Sequence, residues 1–513
     1  MTETPVSGGG RRSRARPAAA AARPTHYRQL RNPFAPQRVF SDDRVAAIHD
    51  AALRVLRELG LRVLLPEARR IFETAGALVD EDTGLVRIGS EIVEAALAAA
   101  PRSFVAHGGE SARNFVFEPG ALTFLGGCGA PNVTDLVRGR RAGSLADLED
   151  LIRLTQSFDV LHLLGPFVEA QDIANHLRHY AFLRAQLTLS DKFPNVYARG
   201  TPQTRDSFEM VRLARGLSED EFASAAFCYT VINSNSPRQL DIPMAQGVID
   251  FARAGQISII TPFCLAGAMA PITVAGALTL QHAEALAALT LAQLVRPGAP
   301  VVYGSFSSNV DMKSGSPAFG TPEHVKATLG AGQLARYIGL PWRSGAGSAS
   351  PAPDVQAAQE TLFGLWGSVL AGATVCIHAA GWLEGGLSVS FEKWITDVEA
   401  LQTLAELCSA TPQDDDAIGF DAIAEVAPGG HFFAAQHTMS RYRTAFYEPL
   451  VADLSNHGNW IAAGAKTATQ RAADVWRRKL AQFQPPASAT QAAEALAPFI
   501  AKRTQEGGAA PVS

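Results

Sequence analysis

The amino-acid sequence predicts an α/β fold, a (β/α)8 TIM barrel with helical extensions at its N-terminal and C-terminal ends. Eight short apolar or β-branched runs alternate with amphipathic helices between residues 122 and 378. Strands that alternate with helices form parallel sheets. The stretch holds 257 residues, which is close to the roughly 250 residues of a typical (β/α)8 barrel.

The eight predicted strands begin at Leu122, His162, Pro194, Ala226, Ile257, Ala299, Leu340 and Thr374. Helix starts support the intervening helices, since Ser144 with Asp147 resembles a capping box and Thr321 precedes a proline at the first helical position. An open doubly wound sheet is the alternative. Such a sheet usually carries GxGxxG after its first strand, whereas GGCGAP follows this one. The pattern therefore favours the barrel.

The chain divides into five predicted segments. They are a disordered arginine-rich tail (1–35), an N-terminal helical region (36–120), the barrel (121–390), a C-terminal helical region (391–485) and a terminal helix with its tail (486–513). Of the 513 residues, 47% are hydrophobic and 18% are charged, which is an ordinary globular composition.

Charge and cysteine content limit the class of protein. Residues 1–24 carry five arginines and one acid, a charge of +4. Since the whole chain has a net charge of −4, the remaining residues carry −8. A mildly acidic body argues against nucleic acid as a partner. No apolar run reaches the length of a membrane span. Five scattered cysteines without a CxxC pair fit a reducing compartment, so we expect a cytoplasmic protein.

In a barrel of this kind the active site lies at the carboxyl ends of the strands. We therefore expect the residues that follow the eight runs to form the site. Glu169 and Tyr303 are the predicted catalytic residues. The predicted substrate-binding residues are Arg199, Tyr229, Asn233, Phe263, Ser305, Asp311, Arg343, His378 and Trp382.

The polar stretch GSFSSNVDMKSGSPAFGTPE, residues 304–323, follows the sixth run and is long for a connection inside a compact domain. We expect it to form part of a site wall. Aromatic residues are also frequent at the strand ends, and aromatic faces with a few acids suit a cationic ligand such as a quaternary ammonium. The aromatic candidates are Tyr197, Tyr229, Phe263, Tyr303, Phe306, Trp342 and Trp382.

The sequence contains no HxH or HExxH pattern and no GxSxG nucleophile elbow, so we expect neither a catalytic metal nor a serine nucleophile. Lys192 and Lys313 lie near strand ends, which leaves a Schiff-base lyase open. Each has an aspartate nearby, which favours the charged amine over the neutral amine that such chemistry needs.

Several stretches resemble the trimethylamine methyltransferase family, in its branch without pyrrolysine, which includes glycine betaine–corrinoid methyltransferases. The resemblance covers about residues 35–485, and its most specific parts are INSNSPRQLDIPMAQG, TPFCLAGAMAPITVAGAL, GAPVVYGSFSSNVDMKSGSPAFGTPE and HAAGWLEGGLSVSFEK. It implies a barrel that transfers a methyl group from a methylated amine to Co(I) of a separate corrinoid protein. No cofactor would then be bound by this chain itself.

The archaeal trimethylamine enzymes of the family carry pyrrolysine, and this chain has only the twenty standard residues. The resemblance therefore implies a quaternary amine as donor, such as glycine betaine or a related betaine, because a quaternary nitrogen already has a neutral leaving group. A sulfonium donor, a folate acceptor and a non-catalytic quaternary-ammonium binder stay open. A betaine would also need a partner for its carboxylate, for which Arg199, Asn233, Arg343 and His378 are candidates. Self-association into a homo-oligomer is also open.

Overall fold

The computed structural model describes residues 27–512. Residues 1–26, which hold most of the predicted tail, lie outside the described residues. The chain divides into two compact units. One comprises 409–448, and the other comprises 27–408 with 449–512.

The larger unit is built on a parallel sheet of six strands. They are β1 (Ala121–Phe124), β2 (Tyr229–Ile232), β3 (Ile257–Ile260), β4 (Val301–Gly304), β5 (Trp342–Gly345) and β6 (Val375–Ile377). The strands pair in the order β1-β6-β5-β4-β3-β2, and every pairing among them is parallel. The predicted α/β fold is thus confirmed, and six of the eight predicted runs form strands.

The other two predicted runs are extended but form only isolated bridges. Leu163 bridges Phe193, and Asn195 bridges Tyr229 at the start of β2, both in parallel. His162 joins this pair of segments to β1, because its backbone N–H donates to Phe124 O (2.9 Å) and its ring Nδ1 accepts from Phe124 N (3.1 Å).

Long helices connect the strands and cover the sheet. They are Leu145–Gln156, Arg178–Leu189, Thr201–Arg215, Ile242–Ala254, Val274–Val295, Pro322–Ile338 and Val355–Leu370. Their starts follow the predicted chemistry, since the side chains of Ser144 and Thr321 accept hydrogen bonds from backbone N–H groups of the first turn. By length and composition Val274–Val295 would also qualify as a membrane span, but 72% of its most apolar window is buried inside the protein.

The N-terminal region, predicted as helical, contains strands as well. Its helices are Asp42–Arg54, Pro66–Thr74 and Ser90–Ala99. Leu61–Val63, Leu78–Asp80 and Leu85–Arg87 form a small sheet with Gln239–Leu240, and Phe104–Ala106 pairs with Phe115–Phe117.

Residues 27–35 belong to the packed structure, although the sequence assigns them to the tail. Leu30–Arg31 pairs antiparallel with β1, and both Tyr27 and Leu30 are buried. The physical reason is that β1 still has unpaired backbone groups at its first residues, which this segment satisfies.

The C-terminal helices pack against the same unit. Phe391–Leu407 contacts Ala468–Ala481, where Trp476 Nε1 donates to Glu392 (3.1 Å). Ala489–Gln505 is the predicted last helix, and its Arg503 forms an ion pair with Asp206 (3.0 Å).

Shorter helices complete the C-terminal part of the chain. The smaller unit contains Asp415–Ile418, Phe420–Ala424 and Gln436–Arg441, and His457–Ala462 lies in the larger unit. Two pairs of short strands flank the loops after β1 and β6, and a further set lies after β3 and β4. These strands are Asn132–Thr134, Arg141–Ala142, Trp382–Leu383, Ser388–Ser390, Leu265–Ala266, Ser308–Val310 and Pro317–Ala318.

Burial keeps several histidines neutral, and this makes stability depend on pH. Burial lowers the pKa of His162 to about 3 and that of His324 to about 4, and it lowers the pKa of His282 well below the ordinary value. In the unfolded chain each imidazole takes up a proton near pH 6.5. As pH falls below 6.5, the unfolded state therefore binds protons that the folded state does not, and stability is lost.

We predict that the free energy of unfolding falls between pH 6.5 and 5 by up to about 1.4 kcal/mol per pH unit for each such histidine. Urea unfolding at a series of pH values measures this slope. His162→Gln should make the slope shallower by about one proton. The matched control is His457→Gln, which replaces a histidine that is exposed in the folded protein. Equal slopes for wild type and His162→Gln would contradict the burial argument.

Candidate functional site

A cavity of about 710 Å³ opens at the carboxyl ends of the parallel strands. Each strand end supplies part of the lining, because these ends meet at one edge of the sheet, where α/β proteins bind ligands. The contributions include Cys128 after β1, Asn233 after β2, Phe263 after β3, Phe306 after β4, Arg343 within β5 and His378 after β6.

The register of β4 and β5 decides which side chains face the cavity. Tyr303 pairs with Trp342, and Gly304 pairs with Arg343. Since side chains alternate along a strand, Tyr303 and Trp342 lie on one face, and Gly304 and Arg343 lie on the other. The Tyr303 hydroxyl contacts His282 Nδ1 (3.0 Å) on helix Val274–Val295, so that face is the one covered by helices.

Arg343 is a buried cation without a carboxylate partner among the described residues. It is 2% exposed, its Nη1 donates to Ser305 O at 3.4 Å, and its Nε has no hydrogen-bond partner. The guanidinium lies over the ring of Phe306, with Cζ 4.7 Å from the ring centroid. Burial lowers the pKa of Arg343 to about 10, so the side chain stays charged near neutral pH.

Aromatic rings form the neighbouring wall of the cavity. The ring of Phe306 lies 5.6 Å from that of Trp382 and 5.5 Å from that of Phe263, measured between centroids. Phe319 stacks behind Phe306 at 5.0 Å. His378 stacks on Trp382 at 4.4 Å. Such a wall can hold a quaternary ammonium through ring faces, without a hydrogen bond.

The rings of this wall fit because two neighbouring residues are glycines without side chains. A Cβ atom on Gly345 would lie 2.5 Å from the Phe306 ring, and one on Gly347 would lie 2.2 Å from the Trp382 ring. Gly347 also has a φ of +122°, which side-chain-bearing residues rarely adopt. The sequence RSGAG at the end of β5 is therefore fitted to the aromatic wall.

The His378 side chain is a neutral imidazole with one N–H group, not a cation. Its Nδ1 accepts a hydrogen bond from Cys128 N (3.3 Å), which leaves the ring proton on Nε2. Burial lowers the pKa of His378 well below its ordinary value, and the positive charge of Arg343 acts in the same direction. The φ of His378 is +60°, so its backbone adopts the left-handed conformation at this strand end.

A buried ion pair fixes the loop that carries Trp382. Asp397 accepts a hydrogen bond from Gly381 N (2.8 Å), and both of its oxygens accept from Lys393 Nζ (2.8 and 2.7 Å). Lys393 Nζ also donates to Thr361 Oγ1 (2.7 Å). Burial raises the pKa of Asp397, and Lys393 opposes that shift.

Glu169 lies in the cavity lining between two arginines. Its carboxylate accepts from Arg199 (2.7 Å) and from Arg178 (3.2 Å). Arg199 in turn lies over the ring of Tyr197, with Cζ 4.4 Å from the centroid. The negative charge of Glu169 is thus already neutralised by protein groups.

The loop after β2 is held by a buried acid. Glu284 on helix Val274–Val295 accepts hydrogen bonds from Ser236 Oγ (2.6 Å), Arg238 N (2.7 Å) and the Ser234 hydroxyl. Burial raises the pKa of Glu284. Ser234 and Ser236 both line the cavity, so this acid positions one side of its mouth.

The structure brings eight of the eleven predicted site residues together around the cavity. These are Glu169, Arg199, Tyr229, Asn233, Phe263, Arg343, His378 and Trp382. Tyr303, Ser305 and Asp311 do not line it. Tyr303 faces the helices, Ser305 contributes its backbone carbonyl to Arg343, and Asp311 caps an exposed turn through Ser314 Oγ (2.7 Å). Of the aromatic candidates, Trp342 faces away from the cavity and donates to Gly372 O (2.8 Å).

The long polar loop contributes to the site through an apolar residue. Phe306 lines the cavity, whereas the predicted Ser305 and Asp311 do not. Sequence reasoning also did not single out Met244, Thr261 and Met269, which line the cavity as well. A signal for Met244 exists, because it lies in the first turn of the helix capped by Asp241, directly after a strand end.

Neither candidate lysine lies in the cavity. Lys192 Nζ donates to the backbone carbonyls of Thr155, Phe158 and Leu161, at the opposite end of the strand segments. Lys313 is exposed. Among the described residues no cluster of three or more histidines, cysteines or acids has the arrangement of a metal site.

The family model and the sequence relatives agree with one another. The family model described as trimethylamine methyltransferase matches residues 7–508. A glycine betaine methyltransferase of Desulfitobacterium hafniense is 34% identical over 92% of this chain and 98% of its own length. A trimethylamine methyltransferase of the same species is 30% identical over 92% and 95%. The crystal structure of the monomethylamine methyltransferase of Methanosarcina barkeri covers 86% of this chain and 92% of its own, with 10% identity and a TM-score of 0.43.

We predict that Asp397→Ala lowers the free energy of unfolding by about 3–5 kcal/mol, because it leaves Lys393 buried and unpaired. Urea unfolding measures the loss. The matched variant Asp474→Ala removes the exposed ion pair with Lys466 and should cost far less. A cost for Asp397→Ala no larger than that of Asp474→Ala would contradict the role assigned to the buried pair.

Proposed function

Because the chain belongs to the trimethylamine methyltransferase family and is a methyltransferase, we propose that it transfers a methyl group from a quaternary amine to a corrinoid protein. The donor is glycine betaine or a related betaine, and the acceptor is Co(I) of a cobalt corrinoid carried by a separate protein. The single observation that carries the proposal is the cavity at the strand ends, whose lining combines an aromatic wall with Arg343, a buried cation that no described carboxylate neutralises.

We infer further that the parallel sheet closes into a (β/α)8 barrel. Support comes from the isolated bridges that link β1 to β2 through His162–Leu163, Phe193 and Asn195. With these two segments the sheet has eight members in chain order, each followed by a helix. A site at the carboxyl ends of the strands is the expected location in such a barrel.

In the proposed reaction a methyl carbon forms a bond to cobalt while its bond to nitrogen breaks. The electron pair of that bond stays on nitrogen, which becomes the neutral nitrogen of a tertiary amine. The corrinoid supplies both electrons of the new bond, and no proton moves. The chain therefore has to bind the donor, point one methyl group toward the acceptor and exclude water.

The charge of the lining favours this step. Its ionised side chains are Arg199, Arg343 and Glu169, a net charge of +1. A positive lining binds a simple cation poorly. It favours the transition state over the bound donor, because the nitrogen loses its positive charge during transfer. This differs from the acid-containing cage that the sequence suggests, since Glu169 is already paired.

We propose that the corrinoid protein docks at the loops around the cavity mouth. The loops after β3 and β4 lie together at Gly267, where a Cβ would be 3.2 Å from Met312 Sδ and 3.7 Å from Ile272 Cγ1. Met312 and Ile272 are 69% and 70% exposed. Two large apolar side chains exposed side by side fit a protein partner. We expect the reaction to take place in the cytoplasm, where thiols such as the five cysteines stay reduced.

The cavity does not support a Schiff-base lyase, because none of the described lysines lies in its lining. A non-catalytic binder of quaternary ammonium compounds is the alternative that experiment has to separate. It would bind the same donors but would not transfer a methyl group.

We predict that the purified protein converts cob(I)alamin to methylcob(III)alamin with glycine betaine, followed by absorbance. Proline betaine, carnitine, choline, trimethylamine and dimethylsulfoniopropionate complete the donor panel. Trp382→Leu should lower kcat/KM at least about tenfold, because a desolvated cation–π contact contributes about 2 kcal/mol. Trp460→Leu, outside the cavity lining, is the matched control.

Donor binding by calorimetry without methyl transfer, even with the natural corrinoid protein as acceptor, would contradict the proposed reaction and favour a binding protein. Methyl transfer from the sulfonium alone would keep the reaction type and change the donor. Equal activity of Trp382→Leu and wild type would show that the aromatic wall does not contact the donor.

A further inference from the structure

Among the described residues, the charge of Arg343 is less well compensated than that of the other buried cations. Lys393 pairs with Asp397, Arg113 pairs with Asp159 and Asp191, and Lys192 donates three hydrogen bonds to backbone carbonyls. Arg343 has one long hydrogen bond, to Ser305 O, and an Nε without a partner. Burying an unpaired charge is costly, so buried ions in proteins are normally paired.

The surroundings of Arg343 explain what could pair with it. The guanidinium lines the cavity, and one side of it is covered by the ring of Phe306 at 4.7 Å. Gly304 beside it on β4 and Gly345 farther along β5 add no side chain around it. A guanidinium presents a planar fork of N–H donors that matches a carboxylate. The site is therefore shaped for an anionic group that enters with a ligand.

We propose that Arg343 binds the carboxylate of the methyl donor, and that the donor lies with its carboxylate inward and its quaternary nitrogen toward the mouth. This inference rests on the proposed function and deepens it, because it makes a carboxylate a requirement for a good donor. Arg343 acts as a specificity-determining residue, which selects betaines over quaternary amines that lack an acid.

The depth of the residues supports this orientation. Arg343 is 2% exposed, whereas Asn233 and Asn235 at the other side of the cavity lining are exposed. The acceptor belongs to a separate protein, so it approaches from the exposed side. A carboxylate at Arg343 would leave the trimethylammonium group beside the aromatic wall, where Trp382 and Phe263 flank Phe306 at 5.6 and 5.5 Å.

Arg199, at the mouth of the cavity, is the alternative partner for the carboxylate, and its exposure and pairing make it the poorer candidate. Arg199 is exposed over 40% of its side chain and already pairs with Glu169. A carboxylate there would compete with water and with Glu169. A donor held in that way would also point its methyl groups inward, away from the acceptor.

Binding by calorimetry tests the inference without requiring turnover. The probes are glycine betaine, choline, which lacks the carboxylate, and 3,3-dimethylbutanoate, which keeps the carboxylate and the shape but has a neutral head. Wild type should bind glycine betaine at least about tenfold more tightly than choline, because a charge-assisted hydrogen bond pair is lost with the acid. It should also bind 3,3-dimethylbutanoate.

Arg343→Gln should weaken the binding of glycine betaine at least about tenfold and abolish the binding of 3,3-dimethylbutanoate. Its affinity for choline should be unchanged or higher. Arg336→Gln is the matched control, since Arg336 donates to Ala371 O (2.6 Å) outside the cavity lining. If Arg343→Gln does not fold, the three probes on wild type still decide. Choline binding as tight as that of glycine betaine, or an Arg343→Gln variant that keeps glycine betaine affinity, would overturn the inference.

Failure of the proposed function looks different. If glycine betaine binds through Arg343 but no methyl group reaches a corrinoid, the reaction is wrong and the carboxylate site stands. If choline and glycine betaine are equally good methyl donors, the reaction stands and the carboxylate requirement is wrong.

Discussion

The charge of Arg343, placed inside a parallel sheet without a described carboxylate beside it, is the constraint around which the site is built. Its position follows from strand register, because pairing with Gly304 turns Arg343 to the cavity and Tyr303 with Trp342 to the helices. An uncompensated buried ion is costly to a fold. In the proposed binding mode an entering carboxylate offsets this cost, so the same charge gives the site its affinity for a betaine.

The aromatic wall depends on a second rigid layer. Trp382 is packed against Gly347, and the loop that carries it is anchored by the hydrogen bond from Gly381 N to Asp397. Lys393 neutralises that acid inside the protein. Side chains locked in this way lose little conformational freedom when a ligand binds, which is how preorganised sites gain affinity and orientation. In the proposed reaction, the net positive lining disfavours a bare cation and favours the loss of charge on nitrogen.

Much of the fold could be predicted, because alternating strands and helices leave a clear pattern. The predicted runs from Ile257 and Thr374 became strands, whereas the run from His162 formed only bridges. Short strands such as Leu85–Arg87 were missed, since three residues carry too little pattern and depend on distant pairing. At the site, the position of Arg343 at a strand end predicts its place in the cavity. Alternation along a strand shows which side chains share a face, but it does not show which face is turned to the cavity. The prediction of Tyr303 as a site residue is wrong for this reason, since its side chain faces a helix. That Arg343 lacks a carboxylate partner among the described residues depends on which distant segments the fold brings beside it, so no local sequence pattern could predict it.

The most direct test is a crystal structure of the protein with glycine betaine bound. We predict a carboxylate oxygen at about 3 Å from a nitrogen of the Arg343 guanidinium, with the trimethylammonium group beside Trp382 and a methyl group directed to the mouth. A carboxylate bound at Arg199, with the trimethylammonium group turned inward against Arg343, would contradict it.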